Sequence, residues 1–347
     1  MERRCSMNSK RNVMKPKFSH IYVEESILNH ERTKNVLNHF SNSEVIVIKD
    51  YRDVFNRKKQ SHSIQKDSQN LILANKKKDY LYEASPVCQS FDNTYFYYST
   101  SMMNCVYDCE YCFLKGMYPS GNLVVFVNIE DFFQSVEDIL TKHPVYLCVS
   151  YDTDMLALEP IFHYGKLWSE FTKKHNDLTI EIRTKGTFSK DWKQILVSDR
   201  VILAFTLSPS YVTKEYEHGT PSLSQRIEMI YEAMSLGYPV RICFDPIIIF
   251  HGYEQAYRQM IKEVNEKIDL TKVRDISVGS FRISKNYLSD MRKQYPNSSV
   301  LQFPYVCDHG FYHLPNDLLE KVESIIMEEL LNIVPKEKIY RWENDND

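Results

Sequence analysis

Cys105-Val106-Tyr107-Asp108-Cys109-Glu110-Tyr111-Cys112 sets three thiols at C-x3-C-x2-C spacing, and Phe113-Leu114-Lys115-Gly116 follows. Three cysteines fall one short of the four that usually enclose an iron–sulfur cluster, so one iron of a [4Fe-4S] cluster held here is left open for a ligand that is not protein. Two other readings of the same residues stay open. A structural zinc ion takes four Cys or His ligands, yet no histidine lies within twenty residues of the trio. The three thiols can also be small core residues. Asp108 and Glu110, inside the loop, read as solvated carboxylates.

On both sides of this loop the hydrophobic period switches repeatedly between two and 3.6, which predicts alternating strands and helices. Before it, strands over residues 20–23 and 45–49 flank a helix over 25–40, a small β-α-β unit. Residues 52–70 are polar and read as an exposed connection. An apolar run over 71–74 and an aromatic strand over 94–98 then deliver the chain to the cysteines. After it, strands are predicted over 123–127, 145–150, 179–183, 201–207, 240–244 and 275–281. Helices are predicted between them over 129–141, 162–174, 189–197, 223–236 and 253–266. Six such units predict α/β architecture of the partial (β/α)6 barrel kind, with its site at the carboxyl ends of the strands. Helices over 287–295 and 316–332 flank an aromatic loop. The domain reading is a leader over 1–18, a basic α/β region over 19–93, the barrel over 94–283 and a C-terminal part over 284–347.

The chain's 347 residues can bury a large core. It has no apolar run of about 18 residues, the length a membrane helix needs, and its first residues lack the apolar centre of a signal peptide. Eight cysteines spread over this length do not resemble a secreted disulfide framework. A cytoplasmic protein is expected, with no membrane partner. Met7 and Met14 are alternative starts, so residues 1–17, Cys5 included, carry no weight in the fold. Net charge is −3, but residues 1–80 hold 17 Lys and Arg against 9 Asp and Glu. Arg57-Lys58-Lys59 and Lys76-Lys77-Lys78 are candidates for phosphate contacts, the alternative being a solvated surface.

The cysteine spacing, with an aromatic before the last thiol, is similar to that of radical S-adenosylmethionine enzymes. Further stretches narrow the resemblance: Cys105 to Met117, Phe126-Val127-Asn128-Ile129-Glu130, Tyr216-Glu217-His218-Gly219-Thr220-Pro221-Ser222-Leu223-Ser224-Gln225-Arg226-Ile227-Glu228, and Gly237-Tyr238-Pro239. With these the chain resembles the spore photoproduct lyases from about His20 to about Leu331. Arg241-Ile242-Cys243-Phe244-Asp245-Pro246-Ile247 resembles the strand that closes that family's barrel. The resemblance implies a [4Fe-4S] cluster on Cys105, Cys109 and Cys112. It also implies S-adenosyl-L-methionine held by Thr153, Lys185 and Thr206, with Asp154 a further candidate. Lys185 would pair with the cofactor's carboxylate.

The implied activity is lysis of a thymine dimer (5-thyminyl-5,6-dihydrothymine) in UV-damaged DNA through a 5′-deoxyadenosyl radical, with a cysteine returning a hydrogen atom to the product. A monomer is implied, located in the spore core or germinating cell and reduced by ferredoxin or flavodoxin. Two positions depart from the pattern. Where the family has its donor cysteine this chain has Tyr151, and the tyrosine after the last cluster cysteine is Phe113, although Tyr111 is kept. Cys88, in the loop before the strand that enters the cysteine segment, is the candidate for a moved donor. Cys148 is expected to point away from Tyr151 by strand alternation, and Cys243 to lie in the core. Cys307 falls in Phe303-Pro304-Tyr305-Val306-Cys307-Asp308-His309-Gly310-Phe311-Tyr312, where the family has a longer basic hairpin that wedges into DNA. This version has no Lys or Arg, which leaves Tyr305 and Phe311 to stack on a distorted base step. Two further readings are a radical enzyme of the same family acting on another substrate, and a non-catalytic iron–sulfur protein that carries electrons or senses nucleic acid.

Overall fold

The computed structural model describes residues 16–85, 88–186 and 190–342. Two sheets carry the fold. The smaller has five strands in the order Glu44–Ile48, His20–Glu24, Leu71–Ala74, Leu123–Phe126 and Met102–Met103. The first four are parallel, in register at Ile21 with Leu71 and at Leu71 with Leu123. Leu71–Ala74 and Leu123–Phe126 are fully buried, as apolar strands covered on both faces must be. Leu123–Phe126, expected among the barrel strands, therefore belongs to the N-terminal sheet. Its neighbour is set by pairing with the apolar run before it, a choice that periodicity does not express.

The larger sheet has eight strands, in the order Ile339–Arg341, Asp275–Ser280, Val240–Ile247, Val201–Thr206, Leu178–Thr184, Val145–Cys148, Phe96–Ser99 and Leu81–Glu83. All pairs but the last are parallel. The aromatic segment Phe96–Ser99 is thus the first parallel strand of the barrel. Val240–Ile247 is an inner strand; Ile339–Arg341 takes the edge expected of it. Ser222 caps the helix Leu223–Ser235 in a reciprocal box with Gln225, which accounts physically for the Ser222-Leu223-Ser224-Gln225 run. The helix expected over 189–197 begins outside the described residues, and its described part is a single 3-10 turn, Asp191–Gln194.

The two edges of this sheet do not pair. Residues 88–95 fill the seam between them: Gln89 Nε2 donates to the carbonyl of Arg341 at 2.9 Å, and the Phe91 ring meets Tyr340 edge-on at 5.4 Å. Phe91 also lies 3.3 Å from the guanidinium of Arg241, whose partners are Glu181, Tyr146 and Asp275 in the barrel interior. Packing of the seam is what carries Cys88 into the barrel. Among the described residues no helix is long and apolar enough to cross a membrane.

Candidate active site

One cavity of about 270 Å³ opens at the carboxyl ends of the barrel strands and gathers most of the residues singled out from sequence. Cys105, Cys109 and Cys112 line it, together with Cys88, Tyr111, Tyr151, Thr153, Asp154, Lys185 and Thr206. The three clustered thiols are unpaired, and burial pushes Cys105 up to about 12 and Cys109 higher. Uncompensated buried thiols of this kind become good ligands once a metal supplies the positive charge that stabilises the thiolate. Among the described residues no three Cys, His, Asp or Glu side chains converge on the position of a single ion.

The loop that carries them is anchored on every side. Asp108–Cys109 pairs antiparallel with Glu217–His218, and the amide of Glu110 donates to the carbonyl of Tyr216 at 2.8 Å. Glu217 is wholly buried and accepts from Tyr111, Arg226 and Ser208. Burial opposes its charge, but Arg226 and Lys185 outweigh it and bring the carboxyl from 4.5 down to about 2. The hydroxyl of Tyr111, a candidate catalytic group, is thereby committed to Glu217. On the other side, Lys66 and Gln69 both donate to the carbonyl of Cys105. The stretch expected to be an exposed connection holds the helix His62–Asp67 and serves as a strut. Asp108 and Glu110 are likewise not free: Asp108 pairs with buried Lys115 at 2.6 Å, and Glu110 binds His218 at 3.1 Å and Ser298 at 2.5 Å. Sequence reading missed Glu217, Arg226, Lys66 and Lys115. The signal for the first two was present, since both lie in the 216–228 stretch that resembled the family.

Four residues were expected around S-adenosylmethionine, and all four line the cavity. Thr153 Oγ1 is buried with no hydrogen-bond partner among the described residues, an arrangement that costs free energy unless a ligand completes it. Lys185 is opposed by burial, yet Cys109 and Glu217 raise its pKa, so it is a fixed cation beside the thiols. Asp154 differs from expectation. Its oxygens accept from the amide of Lys185 and the hydroxyl of Thr184, both at 2.8 Å, and from the amide of Ala157 at 3.2 Å. It orients Lys185 and has little capacity left for a ligand. An orphaned hydroxyl, a fixed cation and three thiols round one cavity fit a cluster with an amino-acid ligand on its open iron.

Cys88 Sγ lies 3.4 Å from the hydroxyl of Tyr151. Two residues 63 apart in sequence, both singled out in the expectation about the hydrogen donor, thus meet at the cavity wall. Phe113 packs on the Tyr151 ring at 5.3 Å. Cys148 does not point away as alternation suggested. The strand ends at Cys148, Tyr151 sits in the following turn, and both line the cavity, with Cys148 Sγ 4.0 Å from Glu181. Cys243 is buried as expected, and Cys307 is exposed in the hairpin of Val306–Asp308 with Phe311–His313. Tyr305 is not free to stack on a base, because its ring packs on Phe281 at 5.0 Å and Phe303 at 5.1 Å. Lys76 also departs from expectation: it is buried, 5.0 Å from the centre of the Phe126 ring, while Lys77 and Lys78 stay exposed.

An incomplete parallel β/α barrel with three thiols at the mouth of its cavity is the fold of the radical S-adenosylmethionine enzymes. The chain belongs to the spore photoproduct lyase family: the family's profile, described as "Spore photoproduct lyase", matches residues 16–303. A curated relative, spore photoproduct lyase of Clostridium acetobutylicum (strain ATCC 824), is 22% identical over 202 residues, which cover 56% of this chain and 59% of that protein. The match thus spans about three fifths of the relative's length. Among solved structures, a spore photoproduct lyase complexed with dinucleoside spore photoproduct superposes with a TM-score of 0.80 at 15% identity, covering 94% of this chain and 98% of that one. A doubly substituted spore photoproduct lyase with bound AdoMet and dinucleoside spore photoproduct gives 0.80 at 16% identity over 95% and 99%. At such identities the superpositions speak for the fold alone.

Proposed function

We propose that this protein is a radical S-adenosylmethionine carbon–carbon lyase that reverts the spore photoproduct in UV-damaged DNA to two thymines. Cys105, Cys109 and Cys112 would hold a [4Fe-4S] cluster. Lys185 would pair with the carboxylate of S-adenosylmethionine, Thr153 and Thr206 would hydrogen-bond it, and Asp154 would hold Lys185 in place. When bound, the cluster and S-adenosylmethionine supply the 5′-deoxyadenosyl radical that takes hydrogen from C6 of the dimer. The bond between the thymines then breaks, and Cys88 returns a hydrogen atom to the thymine radical that results. The buried walls keep solvent from that radical. Reaching the site requires the lesion to leave the stack, which a damaged step does at lower cost.

The observation that carries this reading is the 3.4 Å approach of Cys88 to Tyr151 within the cavity of the three cysteines. A family member that has lost its donor thiol from one position holds another within hydrogen-bonding distance of the residue that replaced it. A random loop cysteine has no reason to be there. Burial raises the Cys88 pKa, so the group stays a thiol with a hydrogen atom to give. A ferredoxin or flavodoxin as reductant, a monomeric state and a location in the spore core or germinating cell complete the proposal. The test is reconstituted, dithionite-reduced protein with S-adenosylmethionine and dinucleoside spore photoproduct, read for thymidine release. Cleavage of S-adenosylmethionine without thymidine would point to another substrate, and absence of cleavage to a non-catalytic protein.

A further inference from the structure

We propose that Tyr211, backed by Phe250, is a stacking platform at the mouth of the cavity that receives an unstacked nucleobase of the damaged duplex. The inference rests on the reading of the protein as a lyase of the spore photoproduct in DNA. Val201–Thr206 and Val240–Ile247 are neighbouring parallel strands of the barrel, and Thr206 and Pro246, towards their carboxyl ends, line the cavity. Tyr211 lies in the short helix that follows the first of these strands, Ser210–Glu215, and Phe250 in the loop that follows the second. Both therefore leave the sheet on the side where the cavity opens. Their rings stack with centroids 4.6 Å apart and planes 19° apart. Phe250 is half-buried against the core, whereas Tyr211 is 48% exposed, so the ring face turned away from Phe250 is open to solvent. Tyr216 meets the Tyr211 ring edge-on at 5.9 Å, and its carbonyl accepts from the amide of Glu110 in the cysteine loop. The platform is thus tied to the loop that forms the cavity wall.

The ligand follows from what must cross this rim. A dimer reaches the cavity only by leaving the duplex stack, which leaves the bases opposite it without partners and the bases beside it with one bare face. Every base has a π-face, and an exposed aromatic ring already held on one face and one edge takes it without ordering a side chain. The hairpin of Val306–Asp308 with Phe311–His313 has no Lys or Arg, and the Tyr305 ring is packed on Phe281 and Phe303. Tyr305 therefore offers no such surface. Two other exposed tyrosines lie elsewhere. Tyr95 precedes Phe96–Ser99, at the amino ends of the strands, and Tyr231 is on the outer helix Leu223–Ser235, 5.8 Å from the ammonium of Lys267. A ring contact neutralises no phosphate, so its contribution to affinity is set by the base and not by salt.

The experiment measures equilibrium binding, by fluorescence anisotropy, of reconstituted wild type, Tyr211→Ala and Tyr211→Trp to labelled duplexes that carry one spore photoproduct. One duplex is otherwise intact, a second has abasic sites opposite the dimer, and a third has an abasic site on each side of it in the same strand. On the intact duplex Tyr211→Ala should bind about 5- to 150-fold more weakly, the value of one stacked base. The slope of log K against log salt should not change, and Tyr211→Trp should restore wild-type affinity. Turnover of dinucleoside spore photoproduct, which has no further bases, should be the same in all three proteins, which also reports that they fold and load cofactor. The wild-type advantage should vanish on at least one abasic duplex, and which one it is identifies the base that stacks. Equal affinity of Tyr211→Ala and wild type for the intact duplex would overturn the platform. So would a loss that persists undiminished on both abasic duplexes, which would make the tyrosine a backbone contact. Failure of the underlying reading is seen separately, as no thymidine from dinucleoside spore photoproduct with the wild type.

Discussion

Glu217→Gln isolates the anchor of the cysteine loop. The carboxylate and Arg226 are both fully buried and paired through Oε2, and Tyr111 and Ser208 donate to the other oxygen, Oε1. The substitution preserves shape but leaves the Arg226 charge without its counterion, a loss of about 3–5 kcal/mol for a buried pair. Linkage gives a similar size. A carboxyl brought from 4.5 in the unfolded chain to about 2 in the fold stands for about 3 kcal/mol, at about 1.36 kcal/mol per tenfold change in proton affinity. Because the folded pKa is the lower one, this stability is fully present above pH 4.5 and is lost as pH falls towards 2. Denaturant titrations of both proteins at pH 7, 5, 4 and 3 should therefore show a constant gap at the two higher values and a shrinking one below. Glu217–His218 is the partner strand of Asp108–Cys109, so iron bound after reconstitution should fall with stability. A gap under about 1 kcal/mol at pH 7, or one that does not change with pH, would refute the reasoning, since a buried charge pair cannot be that weak to break.

Replacing Cys105, Cys109 or Cys112 by alanine should remove the four-iron absorbance and cleavage of S-adenosylmethionine together, as judged by spectra and by 5′-deoxyadenosine formation. Lys185→Met should weaken equilibrium binding of S-adenosylmethionine by about 10- to 150-fold, the value of a charge-assisted bond of about 1.5–3 kcal/mol, with cluster content unchanged. Joint Lys77→Ala and Lys78→Ala replacement should weaken binding to damaged and undamaged duplexes alike, and lower the slope of log K against log salt by about 0.9 per lost phosphate contact. Lys76→Ala belongs to a different class, because that side chain is buried against Phe126 and its loss should appear in stability rather than in the salt slope.

Most barrel strands were legible because a buried parallel strand is a short apolar run between helical segments, and the cysteine spacing marked the site without help from the fold. What was not legible depends on pairing and on side chains that act at a distance. Leu123–Phe126 reads like any barrel strand, and only its ladder with Leu71–Ala74 assigns it to the other sheet. Lys66 looks like one more charge in a polar stretch until the helix His62–Asp67 brings it to the carbonyl of Cys105. Alternation misled at Cys148, since its period holds only while the strand lasts and the strand ends there. Lys76 shows that a run of three lysines need not be a solvated face: its ammonium sits over the Phe126 ring, while Lys78 remains in water. Cys88 was placed near the cavity by chain order alone. Its contact with Tyr151 needed the seam packing of Gln89 and Phe91, which no local pattern encodes.

The most direct test of the central claim is to run the repair of dinucleoside spore photoproduct in deuterated water with wild type, Cys88→Ala and Tyr151→Phe, and to weigh the thymidine recovered under single-turnover conditions. A thiol exchanges its hydrogen with solvent, so wild type and Tyr151→Phe should each deliver one deuterium per repaired dimer in full yield. Cys88→Ala should cleave S-adenosylmethionine but give little thymidine, with misquenched adducts in its place. Normal repair and labelling by Cys88→Ala, with adducts from Tyr151→Phe instead, would contradict the account and make the tyrosine the donor.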